Sequence, residues 1–228
     1  MTLWNNLVRD EGARVDIYLD HQNIPTIGVG FNLRNADVLR LVLQQFGYTA
    51  DTLPNGNFDE LRGELLLIFR EQNWQTNGEA HRQTVQETLD RYREMMEPAN
   101  RDAASETFAF NGTDRSTEAV AQMFPVFETV RQDYVNQIIA QIRSRANVSA
   151  EQAQATWDGL AGNMQDTLLS LAFNGGAAGM IGPRMANALQ SGHWGNAYYE
   201  IVFGSNREGD FDRDGTIDGR NKWGQINE

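Results

Sequence analysis

The 228-residue chain has no cysteine, which excludes a disulfide framework, a zinc–thiolate centre and a thiol nucleophile. Such a chain can work in either a reducing or an oxidising compartment. Positive charge is scarce: 19 Lys and Arg stand against 31 Asp and Glu, a net charge of −12. Nucleic acid and anionic lipid both attract basic surfaces, so neither is expected as the main partner. Histidine is rare too, and His21, His81 and His193 lack the spacing of a metal-ligand set. His21 reads as a solvated turn residue. No apolar run is long enough to cross a bilayer, so membrane insertion is not expected. The opening MTLWNNLVRDEG has neither the basic nor the apolar segment of a signal peptide. Action outside the cytoplasm would therefore need some other route of delivery. No internal repeat stands out.

What is present suffices for a packed core: 40% of residues are hydrophobic and only 22% are charged, which argues against wholesale disorder. Leu3, Trp4, Leu7 and Val8 recur at helical spacing behind a Thr2 N-cap, and Gly12 should stop that helix near Glu11. Val15, Ile17 and Leu19 then alternate with polar residues, a β pattern. His21 to Pro25 reads as a turn. Thr26, Gly28 and Gly30 alternate with Ile27, Val29 and Phe31 as a returning strand. Helical patterns follow from Asp37 and over Asp59–Arg70 and Arg82–Met96, with breaks at LPNGNF and NWQTNGEAH. Residues 97–116 read as a surface loop, in which Asn111-Gly112-Thr113 is turn chemistry. Glu118–Arg145 is a long helical pattern in which Pro125 should cause a kink, a break or a new start. Two helices over Ala150–Ala172 part at Gly159 or Gly162, and shorter ones cover Pro183–Leu189 and Trp194–Phe203. The expected class is α+β, mostly helical with a small N-terminal antiparallel sheet.

One stretch concentrates the chemistry. Glu11 falls at a helix end, Asp20 at the lip of a hairpin, and Thr26 on the returning strand, where it can face Asp20. Gly28 and Gly30 carry no side chain, so a ligand could approach the backbone there. Two carboxyls and a hydroxyl suit glycoside hydrolysis, in which one acid protonates the leaving oxygen and the other activates water or attacks carbon. Burial would keep Glu11 protonated, and an exposed Asp20 would stay ionised. Taken alone, the pattern favours a plain β-hairpin with a polar outer face.

Residues 3–33 resemble the phage-type lysozymes, family 24 of the glycoside hydrolases. The matching pieces are RDEG (Arg9–Gly12), Arg14, IYLD (Ile17–Asp20) and TIGVG (Thr26–Gly30), with that family's spacing of glutamate, aspartate and threonine. The resemblance implies a lysozyme-like fold with Glu11 as general acid, and Asp20 and Thr26 as the pair that places and activates water. A looser likeness over Leu168–Trp194 implies that Phe173 and Asn174 lie near the substrate, Asn174 opening an Asn-Gly-Gly turn. A plain core role for Phe173 is the alternative. GRNKW suggests Arg220 as the arginine that positions the glutamate. Phe31 and Asn32 stand where the family often has histidine after the glycines, so contacts there, Asn32 among them, differ. The resemblance implies one catalytic domain over residues 1–228, with a sheet-bearing lobe over about 12–116 and a helical lobe from 1–11 plus about 117–228. The stretch 38–116 is a helical insertion, longer than in compact members.

The expected activity is that of a muramidase. It would cleave the β-1,4 bond between N-acetylmuramic acid and N-acetylglucosamine, with inversion if Asp20 and Thr26 hold water on the far face of the sugar. A chitinase-like specificity, a lytic transglycosylase and a non-catalytic glycan-binding lobe of a phage tail or secreted effector are the alternatives. The expected partner is the peptidoglycan glycan strand, met by a monomer in the bacterial periplasm or cell wall. Delivery would fall to a holin, a phage tail or a secretion system, and an immunity or inhibitor protein could accompany it. No cofactor is expected for catalysis.

A structural calcium ion is the remaining expectation. In DFDRDGTIDGRN, Asp210, Asp212, Asp214, Thr216 and Asp218 fall at calcium-ligating positions of an EF-hand-type loop, and Gly215 falls at its sharp turn. Asn221 replaces the final bidentate glutamate, and a plain Asp/Gly turn is the alternative. If calcium binds, free ion at 100 times its dissociation constant adds about 2.7 kcal/mol of stability. Chelator should then lower the melting temperature, added calcium should restore it, and Asp212→Ala should remove both responses.

Overall fold

A computed structural model describes residues 3–175 and 181–200, with the backbone alone at 10, 11, 174 and 175. The protein is mostly helical with one small three-stranded antiparallel sheet in the order β1-β2-β3, an α+β architecture. The chain forms two compact units, Met1–Val130 and Arg131–Glu228. They part inside a helix, beyond the lobe boundary expected near 116.

In the first unit, α1 (Leu3–Glu11) ends where the sequence predicts. Gly12 and Ala13 both take positive φ, 97° and 40°, and turn the chain sharply into β1 (Arg14–Leu19). β2 (Pro25–Gly28) pairs with β1, and β3 (Phe31–Asn32) pairs with β2. The returning strand is thus shorter than its alternation suggests. It breaks at a two-residue turn, Val29–Gly30, flanked by Gly28 at φ 67° with Gly30 at φ 103°. A Cβ on Gly28 would lie 2.7 Å from a ring carbon of Phe31, so the turn needs glycine for packing as well as for φ.

Helices α2 (Ala36–Gln45), α3 (Asn57–Arg70), α4 (Trp74–Glu94) and α5 (Pro98–Ala103) follow. Asn35 caps α2 by accepting from the Asp37 and Val38 amides. The break expected at NWQTNGEAH is present as a kink: α4 begins at Trp74, and two helical segments meet at Asn77, whose φ of −119° and ψ of 21° are not helical. One face of the sheet buries Ile17, Ile27 and Phe31, and α2 to α4 bury Leu39, Val42, Leu61, Leu65, Phe69 and Leu89. Phe46 meets Phe108 and Phe110 edge-on at 5.3 and 5.1 Å, which draws residues 108–110 into the core.

Residues 97–116 are therefore more than a surface loop. They contain α5, and their later part clamps the free edge of β1. The Phe110 amide donates to the Val15 carbonyl, the Arg115 amide to the Ala13 carbonyl, and the Val15 amide to Asp114 Oδ1 at 2.8 Å. Covering an edge strand in this way blocks pairing with other chains.

Helix α6 (Thr117–Ala146) passes through Pro125 without ending, and Trp4 of α1 sits 4.8 Å from Phe127 on its early turns. In the second unit, α7 (Ala150–Asp158) opens with a Ser149–Gln152 capping box. It is followed by α8 (Gly162–Gly175), α9 (Pro183–Gln190) and α10 (Trp194–Tyr199). Trp157, Leu168, Leu169, Met185 and Leu189 are buried there.

Tyr48 makes a testable point about the first unit. It is wholly buried, and its hydroxyl donates to the Ser105 carbonyl at 2.9 Å. Burial pushes its phenol well above the usual 10.0, with the Arg93 cation opposing and the Asp90 carboxylate adding to the rise. A folded pKa above the unfolded one contributes stability that is complete below about pH 10 and is lost as pH rises beyond it. Urea unfolding at rising alkaline pH should show that loss. Tyr48→Phe should make it shallower, at a cost of about 1 kcal/mol for the hydrogen bond.

Candidate functional site

The sheet brings several of the expected site residues onto one small platform. Thr26 lies directly opposite Tyr18 on one side and Asn32 on the other, so these three share a face. The expectation that Thr26 faces Asp20 is corrected. A register irregularity between Arg14 and Tyr18 sets the pairing, Leu19 pairs with Pro25, and Asp20 falls just beyond, in the turn.

Asp20 organises that turn. Its Oδ1 accepts from the Gln22 amide at 2.8 Å and the Ile24 amide at 2.9 Å, and its own amide donates to the Ile24 carbonyl. This is an Asx-type turn, in which the side chain stands in for backbone. Asn23 takes φ 58° within it. Thr26 Oγ1 donates its proton to the same Ile24 carbonyl at 2.9 Å, and the residue is only 2% exposed. The donor of Thr26 is thus committed while its lone pairs can still accept. The second oxygen of Asp20 keeps its lone pairs apart from the two turn amides.

Glu11 is the last residue of α1, three positions before β1 begins; its side chain lies outside the described residues. A cation that the sequence reading missed stands beside this junction. The Arg115 guanidinium is 3.5 Å from where a Cβ on Gly12 would be. Arg115 itself has φ 62°, held by its amide bond to Ala13. No pattern within residues 97–116 hints at this, because the pairing is long-range.

Of the two glycines, Gly30 is open, with nothing within 4 Å of a Cβ there. At Gly28 the corresponding space is filled by Phe31, with Phe110 at 3.4 Å. Asn32 is exposed, and its Oδ1 accepts from the Arg34 amide at 2.8 Å.

A groove of about 490 Å³ opens along β1, lined by Asp16, Ile17, Arg82, Val85, Gln86 and Phe108 among others. Arg82 reaches across it to the Ile17 carbonyl at 3.2 Å. Helix α4 and residues 107–109, both inside the expected insertion, thus build a wall next to the hairpin.

The remaining expected site residues belong to the second unit. Phe173 lies 4.7 Å from Tyr134, ring to ring, and is half-buried. Asn174 is still within α8, so the expected Asn-Gly-Gly turn does not begin there. Arg220 and the loop residues Asp210, Asp212, Asp214, Thr216 and Asp218 lie outside the described residues. Among the described residues, no group of three or more acidic, histidine or cysteine side chains converges as a metal site.

No protein-family model matches the chain, and no match was found among curated proteins or among solved structures.

Proposed function

We propose that the protein is a peptidoglycan hydrolase, an N-acetylmuramidase of lysozyme-like fold acting on the β-1,4 bond between N-acetylmuramic acid and N-acetylglucosamine. The observation that carries this reading is the junction itself. A helix ends at Glu11, a tight turn follows, and the next element is a hairpin bearing Asp20 at its turn and Thr26 on its second strand. Glu11 gives its proton to the glycosidic oxygen as the bond from that oxygen to the anomeric carbon breaks. A water attacks the carbon and loses its proton to the second oxygen of Asp20. The other hydrogen of that water is accepted by Thr26, whose own hydroxyl proton is held by the Ile24 carbonyl. Such a water is held by acceptors alone, which leaves its lone pair for the carbon. Attack from the far face inverts the anomeric centre. The substrate is a glycan strand of the bacterial cell wall, met by a monomer, and delivery belongs to a partner machinery.

One observation favours a second reading. Asp20 Oδ1 and the Thr26 hydroxyl both serve the turn, and Thr26 is buried. If their role ends there, Glu11 works alone, and the sugar's own hydroxyl closes an anhydro ring as in a lytic transglycosylase.

Asp20→Asn separates the two. Asparagine keeps an oxygen for the Gln22 and Ile24 amides, so the turn survives, but it cannot take a proton from water. Under the hydrolytic reading, cleavage of purified peptidoglycan should fall about 10²–10⁴-fold. Wild-type products analysed by mass spectrometry should carry reducing ends. Undiminished cleavage by Asp20→Asn, with products lighter by one water, would replace hydrolysis by transglycosylation. Thr26→Ala should slow the reaction less than Asp20→Asn, because it removes placement and leaves the base.

A further inference from the structure

Helices α9 and α10 of the second unit present a surface that their own packing does not use. The turn between them is built by backbone: Gly192 takes φ 70°, and the His193 amide donates to the Ala188 carbonyl at 2.9 Å. Helix α9 buries Met185, Ala186, Ala188 and Leu189. Helix α10 buries only Ala197, while Trp194 is 39% exposed, Tyr198 65% and Tyr199 53%. Three large aromatic residues in six positions thus keep much of their surface in water, the reverse of their usual placement. Beside them is an open groove of about 410 Å³ lined by Arg184, Asn187, His193, Asn196, Tyr199 and Glu200.

We propose that this surface binds a glycan, and, resting on the proposed function for the kind of sugar, a β-1,4-linked N-acetylhexosamine chain. A pyranose ring has one flat side of C–H groups and a rim of hydroxyl and acetamide groups. The flat side matches an exposed aromatic ring. The rim matches amides, which donate and accept, carboxylates, which accept, and guanidinium groups, which donate, all in a plane. Among the described residues, the side chains of Arg184, Asn196 and Glu200 make no hydrogen bond or ion pair, and Asn187 spends only its Nδ2 on the Pro183 carbonyl. The charges point the same way. One cation and one anion line the groove, which offers a polyanion little, and the whole chain carries −12. An anionic lipid surface would need a basic rim that α9 and α10 lack.

The site is distinct in its residues from Glu11, Asp20 and Thr26, and its test needs no catalysis. Full-length Glu11→Gln protein, labelled with nitrogen-15, is titrated with chitotetraose, and amide shifts are followed. A pull-down on insoluble peptidoglycan runs alongside. Saturable shifts should appear over residues 183–200. Trp194→Ala combined with Tyr198→Ala should weaken that binding at least tenfold and reduce retention on peptidoglycan. The melting temperature should hold, because both rings are exposed, and Trp194→Phe should keep most of the affinity. The proposal is overturned if residues 183–200 do not shift. It is also overturned if the double variant binds like its parent, or if those amides shift with protein concentration alone, which would mark contact with a second copy. Loss of hydrolysis in the wild type with these shifts retained would remove the enzyme reading and leave this site. Hydrolysis without the shifts would do the opposite.

Discussion

Glu11→Gln should abolish cleavage of peptidoglycan while leaving the fold unchanged. Glutamine matches glutamate in size and reach, so α1 and the turn at Gly12 and Ala13 have no reason to move. What disappears is the proton. A general acid contributes about 10²–10⁴-fold, and a glycosidic oxygen is too poor a leaving group to depart unprotonated at neutral pH. Position favours Glu11 for this role. It ends α1, and the Arg115 guanidinium lies 3.5 Å from where a Cβ on the next residue, Gly12, would be. Turbidity clearance of cell walls by the variant at the wild-type rate, with an unchanged melting temperature, would remove Glu11 from the mechanism. Loss of clearance together with loss of the melting transition would show damage to the fold, and Glu11→Asp, which keeps an acid on a shorter arm, would then be the deciding comparison.

The end of α1 and the start of β1 were legible in the sequence because both rest on local signals, a glycine after an apolar stripe and a period of two. The placement of Glu11 at a helix end and of Asp20 at a hairpin turn was legible for the same reason, but the register across the hairpin was not. The irregularity between Arg14 and Tyr18 puts Thr26 opposite Tyr18 and leaves Asp20 to the turn, and no alternation pattern encodes a bulge of that kind. Gly28 and Gly30 misled in another way. Their alternation with Ile27, Val29 and Phe31 continued the strand pattern, while their positive φ was ending it. The clamp on β1 was invisible for a third reason. Asp114 and Val15 are 99 residues apart, and propensity within a window has no access to such a pair. In α4 the small polar residues Asn77 and Gly78 read as a break, and the backbone kinks at Asn77, but the helical turn before it was not legible, because it is held by the packing of Trp74 on Phe69 and His81.

That packing makes Trp74 the residue whose truncation should destabilise the first unit most. Trp74 is 1% exposed at the start of α4. Its ring stacks on Phe69 at 5.6 Å and 21°, and His81 lies 4.9 Å away on the same helix. Its indole N–H donates to the Ile68 carbonyl at 2.8 Å. That carbonyl is in the last turn of α3, and its other donor is the Glu71 amide at 3.2 Å. Arg34 completes the same cap, donating to the Phe69 carbonyl at 2.9 Å and the Glu71 carbonyl at 3.0 Å. Trp74 therefore joins α3 to α4 through both ring packing and a cap. His81 adds a third tie, with Nε2 2.7 Å from Asn73 Oδ1. Trp74→Ala leaves a cavity between the two helices and removes one of the two donors to the Ile68 carbonyl, and large aromatic truncations in cores cost about 3–5 kcal/mol. In a chain of this size each kcal/mol moves the melting temperature by about 2–4 °C, so a fall of roughly 6–20 °C is expected. Trp74→Phe should recover most of the packing and lose chiefly the indole bond, about 1 kcal/mol. Thermal unfolding of the three proteins decides it. If Trp74→Ala melts within about 2 °C of wild type, this ring does not hold the two helices together. The wall that α4 gives to the groove beside the hairpin would then have to rest on Val85, Leu89 and Phe108 instead.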